Sequence, residues 1–124
     1  KYNCKNISYG LLDITFFRDD FRRNDKPLNP NISDINVKIE SKSVVLIDDV
    51  LYTGRSIRAA LTAIETYGRP KLIELLILID RRFSRELPIQ PNYIGLEVDS
   101  IQNDRVIVNW KENENEDSVY LINN

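Results

Sequence analysis

Residues 44–56 read Val-Val-Leu-Ile-Asp-Asp-Val-Leu-Tyr-Thr-Gly-Arg-Ser, and this stretch decides the fold. Its four leading apolar residues are too few for a buried helix and include β-branched side chains, so they predict a central parallel strand that stops at Asp48 and Asp49. A turn containing Thr53 and Gly54 follows. Open α/β sheets have this organisation, and they bind ligands beyond the carboxyl ends of their strands.

A helix and a second strand are predicted directly after this turn. Apolar residues recur at helical spacing, and Gly68 and Pro70 then end the helix; the recurring positions are Ile57, Ala60, Leu61 and Ile64. Leu72–Asp80 is almost continuously apolar and predicts a buried strand. Together with the first strand, these segments predict a β-α-β unit.

The flanking sequence predicts further strands and one long loop. Ser8–Phe17 alternates apolar and polar residues and predicts a strand, whereas Arg18–Lys38 is rich in Asp, Asn and Arg and predicts a functional or solvated loop. Short strands are expected at Tyr93–Glu97, Arg105–Lys111 and Ser118–Ile122. Their spacing favours antiparallel addition at the edge of the sheet.

Composition narrows the chemistry. The 124 residues contain 17 basic and 19 acidic side chains, a single cysteine (Cys4) and no histidine. A Ser-His-Asp or Cys-His centre is therefore excluded, a zinc site is disfavoured, and no metal-ligating set is expected. One cysteine and the lack of a membrane-length apolar run indicate a cytoplasmic protein without a membrane partner.

The loop that follows the strand combines two kinds of polar group. Residues 53–56 lie where the amides of the first helical turn have no intrahelical partner, and such amides attract phosphate. Asp48 and Asp49 would repel a phosphate, but they can accept hydrogen bonds from vicinal hydroxyls. The pattern predicts a site for ribose 5-phosphate. Two alternatives are a strand end followed by a capped helix, and a receiver domain whose acidic pair holds magnesium; the phosphate turn disfavours the receiver.

Residues 44–56 resemble the phosphoribosyl pyrophosphate signature of the type I phosphoribosyltransferases, although Tyr52 replaces the small residue that is common there. The form with Tyr52 is similar to the branch that combines uracil phosphoribosyltransferase activity with regulation of pyrimidine operons. The similarity extends to most of the chain; its other segments are Asp13–Thr15, Arg18–Asp20, Gly68–Pro70, Asp80–Arg81, Arg85–Ile89 and Tyr93–Gly95.

The resemblance implies a Rossmann-like, mostly parallel α/β sheet with flanking helices and antiparallel edge strands. It implies transfer of ribose 5-phosphate from phosphoribosyl pyrophosphate to uracil, giving UMP and pyrophosphate, with Mg²⁺ bound mainly through phosphoribosyl pyrophosphate. Asp48 and Asp49 are then the catalytic residues and would hold the ribose hydroxyls. The residues implied around the 5-phosphate are Leu51, Tyr52, Thr53, Gly54, Arg55 and Ser56.

The resemblance also implies roles outside this loop. Arg18 would meet the pyrophosphate from a mobile loop at Arg18–Lys38, and Asp80 and Arg81 would lie beside the uracil. Phe83 is expected to pack inside the fold, with stacking on the base as the alternative.

We expect a single phosphoribosyltransferase domain over residues 1–124, from which the N-terminal part of the fold, with its pyrophosphate loop, is absent. Such a truncated chain is expected to be a poor catalyst alone. Relatives imply a homodimer or larger homo-oligomer. Two functional alternatives stay open: an RNA-binding regulator that attaches to the leader RNA of a pyrimidine operon, and an adenine or orotate transferase of the same fold.

Overall fold

The computed structural model describes residues 7–14 and 38–123. Within these ranges no helix is long and apolar enough to cross a membrane. The elements, in chain order, are strand β1 (Ser43–Leu51), helix α1 (Arg55–Glu65), strands β2 (Leu72–Arg82), β3 (Tyr93–Asp99) and β4 (Arg105–Asn109), helix α2 (Lys111–Glu114) and strand β5 (Ser118–Ile122).

Three strands form one sheet in the order β1-β2-β3. β3 runs parallel to β2, with Ile77 opposite Ile94 and Asp80 opposite Glu97, so the expected antiparallel addition is wrong for this strand. Among the described strands, β2 lies between β1 and β3, and a central position for β1 stays a prediction. Every second residue of β1 is exposed, and Ile47 is 68% exposed.

The end of β1 also differs from the prediction. The strand continues through Asp48 and Asp49 and ends at Leu51, which is almost completely buried. Val50 and Leu51 have the branched or apolar side chains that fit a half-buried strand, so the two acids do not break it. The acidic pair therefore lies inside the last part of β1.

The described chain divides into two compact units, one formed by Lys1–Val44 with Arg55–Ile73 and the other by Val45–Gly54 with Glu74–Asn124. In the first unit, α1 buries one face, as its apolar spacing predicts. The buried residues of this face are Ile57, Ala59, Ala60, Ala63 and Ile64. The amides of Thr66 and Tyr67 donate to Ala63 and Ile64 in a tightened last turn, and Gly68 follows with φ +150°.

In the second unit, β2 supplies most of the core. Leu75, Ile77 and Ile79 alternate as buried residues, in agreement with the predicted buried strand. Gly95 of β3 allows close pairing here, because a Cβ at this position would lie 2.6 Å from the carbonyl oxygen of Leu78. The predicted strand therefore forms, and it extends two residues beyond Asp80.

The C-terminal strands β4 and β5 pair with each other in an antiparallel sheet of two strands. The strands and their antiparallel pairing were predicted, but they form a separate sheet and do not extend the edge of the first one. The turn between them contains α2, which ends at Asn115 in the left-handed conformation (φ 66°). Asparagine tolerates this conformation better than most residues.

The predicted strand Ser8–Phe17 is wrong for its described part. Residues 8–14 form no strand, and Leu11 makes a single bridge. Phe17 and all of the predicted mobile loop except Lys38 lie outside the described residues.

Candidate functional site

Asp48 and Asp49 differ in environment although they are neighbours. Asp48 is half-buried and Asp49 is exposed. Burial, together with the nearby charge of Asp49, raises the pKa of the Asp48 carboxyl to about 6, although a hydrogen bond from the Asp49 amide opposes the shift. The amide nitrogen of Asp49 lies 2.9 Å from Oδ1 of Asp48. Near pH 7 the Asp48 carboxyl is mostly ionised and able to accept hydroxyl hydrogen bonds.

The turn after β1 is held by residues that follow β2. The Tyr52 carbonyl accepts a 2.8 Å hydrogen bond from Nη1 of Arg85. The Thr53 carbonyl accepts bonds from the amides of Glu86 and Leu87, at 2.9 and 3.1 Å. Residues 52–54 are hereafter called the turn. The carbonyls of Tyr52 and Thr53 are therefore oriented toward residues 85–87.

Gly54 has φ +95°, a conformation that side chains with a Cβ rarely adopt. It is also packed, since an added Cβ would lie 3.4 Å from both Cδ1 of Ile89 and Cβ of Leu87. The requirement for glycine therefore arises from the backbone conformation of the turn and its packing against residues 87–89.

Arg81, which was predicted to lie beside the uracil, is buried, and its guanidinium lies against the ring of Tyr52. The carbon at the centre of its guanidinium lies 3.9 Å from the centroid of the Tyr52 ring. Its nitrogens donate to the Ser100 hydroxyl and to the carbonyls of Ile101 and Asp104, at 2.9 to 3.1 Å. A buried guanidinium needs such partners. Arg81 thus connects the Tyr52 ring to residues 100–104.

Asp80, the other residue predicted beside the uracil, forms a buried ion pair. Its Oδ1 lies 2.7 Å from Nη2 of Arg85, and its side chain is 7% exposed. Arg85 consequently joins the end of β2 to the Tyr52 carbonyl. Asp80 also lines a cavity of about 380 Å³ with residues of β2, β3 and the segment between them; the other lining residues are Arg82, Phe83, Arg85, Leu87, Pro88, Ile89, Gln90, Pro91, Ile94 and Glu97.

The expectation that Phe83 packs inside the fold is wrong. Phe83 is 79% exposed, and it lines this cavity. Its φ of +71° is unusual for a bulky residue, and such conformations concentrate at functional sites. The ring is therefore accessible to a ligand.

The other predicted site residues are distributed as follows. Leu51 is buried, Arg55 is exposed and Ser56 is half-buried in the first turn of α1. Arg18 lies outside the described residues. Within residues 7–14 and 38–123 no three His, Cys, Asp or Glu side chains are grouped to hold a metal ion.

Arg85 was missed as a site residue by sequence reasoning. The segment Arg85–Ile89 carries part of the family resemblance, but nothing in its pattern indicates which backbone groups it contacts. The signal is tertiary, because Arg85 and Tyr52 are 33 positions apart in the chain.

Comparison with known proteins shows the family of this chain. Residues 6–115 match the family described as phosphoribosyl transferase domain. The chain is 42% identical over 116 residues to the bifunctional protein pyrR of Enterococcus faecalis, covering 94% of this chain and 64% of that protein. It is 44% identical over 119 residues to the bifunctional protein PyrR of Bacillus cereus, with 94% and 66% covered. The chain thus spans just under two thirds of the length of these relatives.

The fold is also similar to that of known phosphoribosyltransferases. A hypoxanthine phosphoribosyl transferase of Trypanosoma cruzi superposes with a TM-score of 0.57 at 20% identity, over 74% of this chain and 47% of that one. This likeness identifies the fold as the type I phosphoribosyltransferase fold and, at that identity, says nothing of substrate. The match over residues 6–115 establishes that the chain belongs to the phosphoribosyl transferase domain family.

Proposed function

We propose that the protein binds phosphoribosyl pyrophosphate and transfers its ribose 5-phosphate to uracil, giving UMP and pyrophosphate. The observation that carries the proposal is the family match, which includes the acidic pair and the turn in one stretch. The choice of uracil rests on resemblance to the pyrimidine branch, supported by similarity to PyrR proteins.

In this reaction the bond from C1′ of the ribose to the pyrophosphate oxygen breaks. The bond from C1′ to N1 of uracil forms, and the N1 proton is released. Asp48 and Asp49 would accept hydrogen bonds from the ribose hydroxyls, and their negative charge would stabilise the positive charge that develops at the ribosyl centre. The half-buried position of Asp48 supports this role, because charge interactions are stronger away from water.

The 5-phosphate would be bound by amides of residues 51–56 and by the hydroxyls of Thr53 and Ser56. The conformation of Gly54 supports this assignment, since a turn with positive φ can direct successive amides toward one anion.

The donor set fits Mg²⁺ that is shared with the substrate. Mg²⁺ usually keeps several waters and binds one or two carboxylates together with substrate phosphates. Asp48 and Asp49 can supply this number of carboxylates, and the described residues contain no larger acidic group. When bound, the ion would neutralise charge on the departing pyrophosphate.

The cavity beside Asp80 is our candidate for the base. Its volume of about 380 Å³ is within the usual range for small-ligand sites, and the exposed ring of Phe83 offers a stacking surface. Arg85, Leu87 and Ile89 line it and also contact the turn, so a base here would lie near the bound ribose. Arg81 would fix the position of the Tyr52 ring next to this part of the site.

Calorimetric titration of the purified protein with phosphoribosyl pyrophosphate and UMP tests the proposal. We expect saturable binding of both, and loss of at least ten-fold in affinity in the double variant Asp48→Asn, Asp49→Asn. Product analysis with uracil, adenine and orotate then tests the base. Absence of binding to either ligand rejects the proposal, and preference for adenine or orotate rejects uracil.

A second candidate function is binding of a pyrimidine-operon leader RNA. One observation favours it: the amide of Lys71 donates to the carbonyl of Lys42, and the amide of Ser41 donates to that of Arg69. These bonds bring three exposed basic residues together within one unit, and clustered cations are what phosphate backbones bind.

A gel-shift assay with leader RNA at increasing salt tests this function. We expect a shift that weakens with salt and with the double variant Lys42→Gln, Lys71→Gln. Exchange of Lys111 for Gln, in the other unit, is the control. No shift at low salt contradicts RNA binding and leaves the transferase proposal unaffected.

A further inference from the structure

Tyr52 is contacted by two arginines from β2 and the segment that follows it. Arg81 lies against the face of its ring, and Arg85 donates to its carbonyl. The two contacts involve different parts of the same residue. Together they restrict both the position of the ring and the orientation of the peptide group that begins the turn.

Each arginine is itself held by a buried partner. Asp80 accepts a 2.7 Å hydrogen bond from Nη2 of Arg85. The other terminal nitrogen of Arg85, Nη1, donates to the Tyr52 carbonyl. Arg81 is bound to Ser100 and Asp104, both of which are buried. A guanidinium with several donors in one plane is suited to such bridging, and a lysine ammonium is not.

We propose that Arg85 is a positioning residue that, together with Arg81, holds residues 52–54 in the conformation that binds the 5-phosphate. The inference rests on the proposed phosphate-binding role of the turn. Arg85 acts through the Tyr52 carbonyl and the buried carboxylate of Asp80, and it need not touch the ligand. An enzyme site gains affinity when its donors are oriented before the ligand arrives.

The proposal predicts a property of the protein without ligand. The amides of Glu86 and Leu87 donate to the Thr53 carbonyl, so their hydrogen exchange reports whether the turn keeps its position. In the variant Arg85→Lys we expect these two amides to exchange at least ten-fold faster, while the amides within β4 and β5 keep the wild-type rate.

The proposal also predicts a loss of affinity for phosphoribosyl pyrophosphate. We expect about ten-fold weaker binding in Arg85→Lys and a larger loss in Arg85→Ala. Because Arg85→Ala leaves Asp80 buried without its partner and endangers folding, the double variant Asp80→Asn, Arg85→Gln removes both charges together. The matched control is Arg105→Ala, an exposed arginine of β4, for which we expect less than a two-fold change.

The two readouts separate failure of the inference from failure of the proposed function. If the wild type binds phosphoribosyl pyrophosphate and Arg85→Lys binds it equally well, the positioning role is wrong and the transferase proposal stands. Unchanged exchange at Glu86 and Leu87 also overturns it. A third outcome is that the wild type does not bind phosphoribosyl pyrophosphate, while the amides of Glu86 and Leu87 exchange faster in Arg85→Lys. The contact of Arg85 with the Tyr52 carbonyl then holds the turn, but the proposed function is wrong. The phosphate-binding part of the inference is wrong with it.

Discussion

The amide of Asp49 donates a 2.9 Å hydrogen bond to the carboxylate of Asp48, the residue that precedes it in β1. This bond favours the ionised carboxylate, yet burial and the neighbouring charge outweigh it and raise the pKa to about 6. The Asp48 carboxyl therefore titrates close to physiological pH.

The raised pKa makes stability depend on pH in a defined direction. A carboxyl whose pKa is raised by folding favours the folded state when protonated. Its contribution is fully present below the ordinary value of 3.8 and is lost as the pH rises through about 6. The variant Asp48→Asn cannot ionise at this position, so it does not lose this stability as the pH rises. Its side-chain oxygen can still accept the hydrogen bond from the Asp49 amide. We expect its free energy of unfolding, relative to wild type, to increase by about 1–2 kcal/mol from pH 4 to pH 7, an amount reduced by partial solvation.

Chemical denaturation at both pH values measures this difference, and NMR titration of the Asp48 carboxyl measures the pKa directly. A pKa near 4, or a parallel pH dependence in the two proteins, contradicts the prediction.

Gly54→Ala tests the turn. The positive φ is unfavourable for alanine by roughly 1–3 kcal/mol, and the new methyl group contacts Leu87 and Ile89. We expect lower stability and at least ten-fold weaker binding of phosphoribosyl pyrophosphate. Gly68→Ala is the matched control, because Gly68 also has positive φ but lies in the other unit. It should lower stability without changing affinity measured on the folded protein; equal loss of affinity in both variants counts against the prediction.

Gly95→Ala tests the close pairing of β2 and β3. Its methyl group would lie 2.6 Å from the backbone oxygen of Leu78, which cannot move without disturbing the parallel ladder. Crowding of this kind typically costs about 1–3 kcal/mol. We expect a decrease of that size in the free energy of unfolding, measured by urea denaturation. An unchanged midpoint and slope would show that the strands separate without cost.

Phe83→Ala tests the base cavity. The exposed ring contributes little to the core, so we expect unfolding by urea to be nearly unchanged. Loss of stacking should weaken UMP binding by roughly 5–10-fold, as expected for one aromatic contact of about 1 kcal/mol. Ribose 5-phosphate, which has no base, is the control ligand and should bind equally to both proteins. An equal loss of affinity for UMP and ribose 5-phosphate would show that Phe83 does not contact the base.

Titration with Mg²⁺ tests how the metal is held. Because Mg²⁺ usually binds one or two carboxylates together with substrate phosphates, we expect Asp48 and Asp49 alone to give no saturable Mg²⁺ binding at millimolar concentration. Addition of phosphoribosyl pyrophosphate should create a site, and chelation should weaken binding of that ligand but not of ribose 5-phosphate. Calorimetry distinguishes these cases, and tight binding of Mg²⁺ without ligand contradicts the shared-site model.

Local sequence patterns were sufficient for α1 and β2. The 3.6-residue spacing of Ile57, Ala60 and Ile64 and the apolar run at Leu72–Asp80 are properties of short segments, and both elements are confirmed. Strand β5 has the predicted bounds for the same reason. The order of the strands was not predictable in this way, because pairing depends on residues distant in the chain; among the described strands, β2 lies between β1 and β3.

The sequence by itself determined the family, through the acid pair and the turn that follows it in one stretch of 13 residues. Only the tertiary structure decided that Arg81 and Arg85 converge on Tyr52 and that Phe83 is exposed beside a cavity. The physical reason is that the turn's shape depends on donors about 30 residues away, and the accessibility of a side chain depends on every segment that could cover it.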